Sequence, residues 1–167
     1  MPNLIRQDGI HTDNWTIVHP PAEGEAIEIP EGPALLPAAI WKDKRQELTG
    51  RNDIGFWLDS HEEPEDLADY VNEVPVIGVN FPKFSDGRGY SIARLLRERF
   101  GFRNELRAVG DVLLDQLFYM KRCGFDAYAL REDKNPDDAE YCLNVFSHAY
   151  QGAVDDDTPL FRRRWAS

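Results

Sequence analysis

The sequence predicts an α/β protein of repeated strand–helix units on a parallel sheet, preceded by a short irregular N-terminal segment with β character. Three observations predict it. From Asp53 onward, short apolar runs alternate four times with stretches of helical spacing, at intervals of roughly 22–30 residues. The runs Ile54–Leu58 and Val76–Phe81 are apolar almost throughout, the pattern of strands buried on both faces. Glycine or Asn-Pro punctuates the joints. Such alternation implies right-handed crossovers between parallel strands. Two architectures satisfy it, a half-TIM-barrel-like sheet with covered or paired edges and an open doubly wound sheet. The short strands favour the half barrel.

In chain order, residues 1–37 are rich in Pro and Gly and form an extended segment. Short strands are expected at Leu4–Arg6 and Trp15–Val18, as a hairpin around Asp8-Gly9. Pro20 to Pro33 carries four acids and four prolines and reads as extended and solvated. Residues 38–153 form the α/β unit. Ala38–Lys42 is either a strand or a helix start, with Gly50 as a stop. Ile54–Leu58 is a strand, and Glu62–Val74 has helical spacing with Pro64 in its first turn. After the strand Val76–Phe81, Tyr90–Phe100 is a helix. Its apolar stripe is Ile92, Leu95, Leu96 and Phe100, with Arg94, Arg97 and Arg99 outward and Gly101 as its end. Leu106–Val109 is a strand, Asp111–Cys123 a helix capped by Gly124, and Ala127–Leu130 a strand. Asn135-Pro136 opens a last helix to about Gln151, with Cys142, Val145, Phe146 and Ala149 inward. Residues 154–167 form a tail, with Asp155-Asp156-Asp157 followed by Arg162-Arg163-Arg164-Trp165. It is either solvated or a docking arm carrying Leu160, Phe161 and Trp165.

A chain of 167 residues buries roughly two thirds of its unfolded surface and needs no metal or disulfide staple. No window approaches the ~20 apolar residues of a membrane span, and the first residues lack a signal-peptide pattern. A soluble, cytoplasmic protein is expected. Cys123 and Cys142 lie outside any C-x-x-C pair and read as buried small hydrophobes. The net charge of −11 is uneven: residues 1–80 hold 5 Lys+Arg against 16 Asp+Glu, whereas residues 81–167 hold 14 of each. Residues 81–110 carry seven basic side chains and three acids. This balance argues against non-specific nucleic-acid binding and for a small anion or a protein of complementary charge.

Ligands of parallel α/β sheets sit outside the carboxyl ends of strands. Three loops are expected there: Asp59–Glu63, Phe81–Ser91 and Gly110-Asp111. The middle loop is the richest. Gly87 and Gly89 permit close backbone approach, Lys83 and Arg88 add charge, and Ser85 and Ser91 add hydroxyls. With Arg107 these form a candidate site for phosphate, sulfate, sulfite or a carboxylate. A capped turn, Asp86-Gly87 with Ser91 or Asp86 on the helix, explains the same residues. The loop matches neither a P-loop nor a dinucleotide fingerprint. Asp111 is explained as a helix cap. Asp115, one turn on, makes the pair a weak catalytic candidate, with Gln116 and Arg107 nearby in the chain. His11, His19, His61 and His148 have no metal-ligand spacing, and no metal is expected.

The stretches Phe81-Pro82-Lys83-Phe84-Ser85-Asp86-Gly87-Arg88-Gly89-Tyr90-Ser91, Glu105 to Gln116 and Arg122-Cys123-Gly124-Phe125-Asp126 resemble a bacterial family, domain of unknown function 934, over roughly residues 50–150. Members are described as oxidoreductases involved in sulfite reduction, on the strength of genes beside sulfite reductase. The resemblance implies a role in assimilatory sulfite reduction and cysteine biosynthesis, without an established set of catalytic residues. The chain carries no flavin or nicotinamide fingerprint, cluster ligands or dithiol, so no cofactor is expected. The leading expectation is an accessory protein that binds a small anion, or docks on sulfite reductase or its electron donor. The alternative is a half-barrel enzyme for a small anionic substrate, with Asp111 or Asp115 in acid–base work. A homodimer paired through sheet edges is a third reading.

Overall fold

The computed structural model describes residues 3–22 and 26–163. These form one eight-stranded sheet in the order β2-β1-β8-β7-β6-β5-β4-β3. The strands are β1 (Asn3–Arg6), β2 (Gly9–Thr12), β3 (Thr16–Ile17), β4 (Ala34–Pro37), β5 (Ile54–Leu58), β6 (Val76–Phe81), β7 (Glu105–Gly110) and β8 (Ala127–Ala129). From β3 to β8 every neighbouring pair is parallel. β1 lies antiparallel to both β8 and β2.

Strand order decides between the two architectures. β4 to β8 are neighbours in chain order, so right-handed crossovers all fall on one face. A doubly wound sheet reverses its order and covers both faces. The curl follows from one short connection. β2 and β3 are opposite edges of the sheet, yet only Asp13, Asn14 and Trp15 separate them. Eight flat strands would place these edges about 34 Å apart at the usual spacing. The link reaches about 14 Å. The sheet therefore curls into a half barrel, with the link across its opening.

The two faces bury different things. The helix-side face carries the main core. Ile54, Phe56 and Leu58 of β5, Ile77, Val79 and Phe81 of β6, Leu106 and Ala108 of β7 and Tyr128 of β8 pack there on Ile92, Leu96, Leu117 and Met120. The concave face is narrow. Leu35, Trp57 and Val76 cluster there with Trp15 and Ile17, and the Trp57 indole donates to the Val18 carbonyl at 2.9 Å. A Cβ on Gly78 would meet the Cβ of Trp57 at 3.0 Å, so the tight curl needs a glycine beside this indole.

Charge seals the remainder of the concave face. Arg107, from β7, is fully buried. Its Nη1 donates to both carboxylate oxygens of Asp13 at 2.8 and 3.0 Å, and its Nε and Nη2 donate to Glu105 at 2.8 and 2.6 Å. The other Glu105 oxygen accepts from Arg6 at 2.6 and 3.0 Å. Trp15 lies under the Arg107 guanidinium, 5.6 Å from its ring centre. Two anions and the buried Arg107 thus meet inside the curl, with the partly exposed Arg6 completing the balance at its edge, and one of the anions, Asp13, belongs to the link.

Several elements depart from the sequence expectation. The hairpin partner of β1 is β2, two residues on. The expected strand at Trp15–Val18 is instead β3, at the other sheet edge. β4, buried throughout, fills the end of the expected extended segment, and Ala38–Lys44 is the helix α1. Prolines on both sides leave β4 too short for a period to show. Glu62–Val74 forms two separate 3-10 turns, Pro64–Leu67 and Val71–Glu73, which still bury Leu67, Val71 and Val74. Tyr90–Phe100 divides into α2 (Arg88–Arg94) and a wider π turn, Leu95–Arg99. There Arg97 turns inward rather than outward. It donates to the carbonyls of Phe102, Asn104 and Gly124 and to Asp126. Asp111 caps no helix, because α3 (Leu117–Cys123) begins only after a 3-10 turn.

The last helix stops early. After the N-cap Asn135 and a 3-10 turn, α4 spans only Ala139–Leu143. Val145 and Phe146, expected inward, are 42% and 63% exposed. The tail folds back instead of floating: Arg122 pairs with Asp155 at 2.6 Å, and a helical turn, α5 (Leu160–Arg163), follows. Arg164 and Trp165 lie outside the described residues. No helix among the described residues is long and apolar enough to cross a membrane.

Candidate functional site

The loops after β5, β6, β7 and β8 gather at the carboxyl end of the sheet and are stitched side to side. Ser60, buried just beyond β5, donates to Asp86 at 2.7 Å. Arg88 closes on the same carboxylate through Nε at 2.9 Å and Nη2 at 2.6 Å, and reaches the Ser60 hydroxyl at 3.0 Å. The Phe84 backbone N–H donates to Asp111 at 2.8 Å, and Gln116 donates to the Phe84 carbonyl at 2.8 Å. The other Asp111 oxygen accepts from Arg131 at 2.7 Å, and Arg131 also grips Asp133.

Gly110 makes this junction possible. Its φ is +91°, and a Cβ there would lie 2.4 Å from the Asn80 side-chain oxygen and 2.5 Å from the Phe81 carbonyl. The turn delivers the Asp111 N–H to that same carbonyl at 2.7 Å. Gly89 serves packing rather than ligand approach. A Cβ there would meet the Phe81 ring at 2.7 Å, so glycine lets α2 close on β6.

The electrostatics follow from the pairing. Arg88, then Ser60, hold the Asp86 carboxyl well below the usual carboxylate range. The Phe84 N–H, then Arg131, lower that of Asp111. Both stay ionised through neutral pH, and neither matches a general acid or base tuned near the working pH. Burial pushes the Tyr90 phenol, beneath the loop, up to about 12.

The structure brings only part of the expected set together. Lys83, Ser85, Gly87 and Arg88 share the exposed loop, and Ser91 is exposed one turn into α2. Among the described residues Lys83 makes no ion pair, and the Ser85 and Ser91 hydroxyls make no hydrogen bond. Arg107 sits on the concave face, saturated by Asp13 and Glu105. Asp115 is exposed and meets no charged partner among the described residues, so no carboxylate pair forms with Asp111. Sequence reasoning included Ser60 only within the Asp59–Glu63 loop, without singling it out, and passed over Arg131 and Asp133. Position alone could have marked Ser60 and Arg131, each two residues past a strand end. Among the described residues no group of three or more His, Cys, Asp or Glu is placed to hold a metal ion. Because the Arg88 side chain is 61% exposed, Arg88→Ala is expected to lower the melting temperature by no more than about 2–4 °C, as followed by far-ultraviolet circular dichroism.

Fold and site together define a class: a curled α/β half barrel whose carboxyl-end loops form one hydrogen-bonded platform. The chain belongs to the family described as "Bacterial protein of unknown function (DUF934)", whose model matches residues 55–161. The match takes in β5 from its second residue, β6 to β8 and every platform loop, and β1–β4 precede it. No curated protein and no solved structure matches the chain.

Proposed function

We propose that this protein is an accessory of assimilatory sulfite reduction and cysteine biosynthesis, docking on sulfite reductase or its electron donor rather than catalysing a step itself. The observation that supports a binding role is the mutual engagement of the platform's charges. Asp86 pairs with Arg88 and Asp111 with Arg131, which rigidifies the four loops and holds both carboxylates ionised, away from the tuning that proton transfer needs. Phe84 of the platform, Tyr119 of α3, Tyr141 of α4 and Phe146 just beyond it are each more than half exposed, and aromatic side chains are enriched at protein interfaces. The acidic residues 1–80 supply a field for a basic partner face.

Co-purification tests this. The tagged chain is expected to retain sulfite reductase at low ionic strength and to release it as salt rises. Absence of association at low ionic strength rules the reading out. A second reading, a small-anion site or half-barrel enzyme, draws on Lys83 alone, a cation without an ion pair among the described residues and flanked by exposed Ser85. In that case Lys83→Ala abolishes sulfite binding in titration calorimetry while co-purification is absent.

A further inference from the structure

We propose that the cleft between the β1–β2 hairpin and α4 binds an amino-acid-sized zwitterion with an apolar side chain. The cleft measures about 460 Å³, within the range of small-molecule sites. Its floor is apolar, formed by Ile5 of β1 and by Ala139 and Leu143 of α4, all nearly fully buried. Ile10 of β2 lines it and remains 47% exposed. None of the lining residues belongs to the platform at the carboxyl end.

The rim decides the ligand's charges. Arg6 and Asp8 line the cleft but are engaged, Arg6 with Glu105 and Asp8 with His11. The side chains of Lys121, from the last turn of α3, and of Asp137 and Glu140 make no hydrogen bond or ion pair among the described residues. One ammonium and two carboxylates therefore border an apolar floor. A ligand carrying only negative charge meets the two carboxylates. A ligand carrying only positive charge covers Lys121 without a partner, and covering an unpaired charge is costly. A zwitterion answers both, its carboxylate toward Lys121 and its ammonium toward Asp137 and Glu140, while its side chain covers the floor.

Titration calorimetry of the full chain with three probes of one aliphatic body tests this: L-leucine, isopentylamine and 4-methylpentanoate. Leucine is expected to bind about tenfold or more tightly than either single-charge analogue. Lys121→Ala is expected to remove the advantage over isopentylamine. The double variant Asp137→Asn/Glu140→Gln is expected to remove the advantage over 4-methylpentanoate. All three are surface positions, and circular dichroism confirms that the variants fold. The proposal is overturned if leucine produces no heat at millimolar concentration, if it binds no better than the analogues, or if the folded variants bind it unchanged. Because co-purification with sulfite reductase needs none of these residues, the two proposals fail separately.

Discussion

Asp13→Ala is expected to lower the folding stability by about 3–5 kcal/mol, the cost of breaking a buried ion pair from one side. Arg107 is fully buried and Asp13 only 6% exposed at its side chain. Removing the carboxylate leaves Nη1 of Arg107 with no acceptor inside the curl. The loss is also topological, because Asp13 sits in the three-residue link between the two sheet edges. Urea unfolding measures it as a fall in midpoint. The reverse repair sharpens the test. Asp13→Leu combined with Arg107→Met leaves Glu105 paired with Arg6 and fills the space with apolar volume. That double variant is expected to recover most of the loss, since apolar replacement of a complete buried pair is often neutral. A loss below about 1 kcal/mol for Asp13→Ala, the scale of a surface pair, would show that the link is not held by charge.

Gly55→Ala carries the second large effect. Gly55 lies on the concave face of β5, where a Cβ would stand 2.1 Å from the Val76 carbonyl oxygen and 2.8 Å from Leu35 Cδ2. The oxygen is backbone of the neighbouring strand and cannot swing aside as a side chain does. β5 and β6 must part or the curl must open, at a cost of about 3 kcal/mol, the upper end for overpacking. Gly87 gives the contrast. Its φ of −83° suits any residue, and the nearest atom to a Cβ is 4.0 Å away. Gly87→Ala is expected to raise stability by a few tenths to about 1 kcal/mol through the unfolded chain. Thermal unfolding of the two alanine variants side by side reads both signs. Equal effects would mean that the curl does not depend on Gly55.

By itself the sequence determined the alternation. Ile54–Leu58 and Val76–Phe81 are strands because a run buried on both faces is apolar at almost every position, and that pattern is local. It also determined the loop after β6 as the most polar strand end and Gly124 as a helix stop, since a glycine's conformational freedom needs no tertiary contact. What lies between strands was less legible. Glu62–Val74 keeps helical spacing yet forms 3-10 turns, because three buried side chains at positions 67, 71 and 74 fit either geometry once a core accepts them.

Only the tertiary structure decided the half barrel, the destination of Arg107 and the pairing of the platform. Each depends on residues far apart in the chain. Asp13 meets Arg107 across 94 positions, and Ser60 meets Arg88 across 28. An arginine awaiting a ligand and an arginine neutralised by its own fold look alike in sequence, because charge type is local and charge compensation is not.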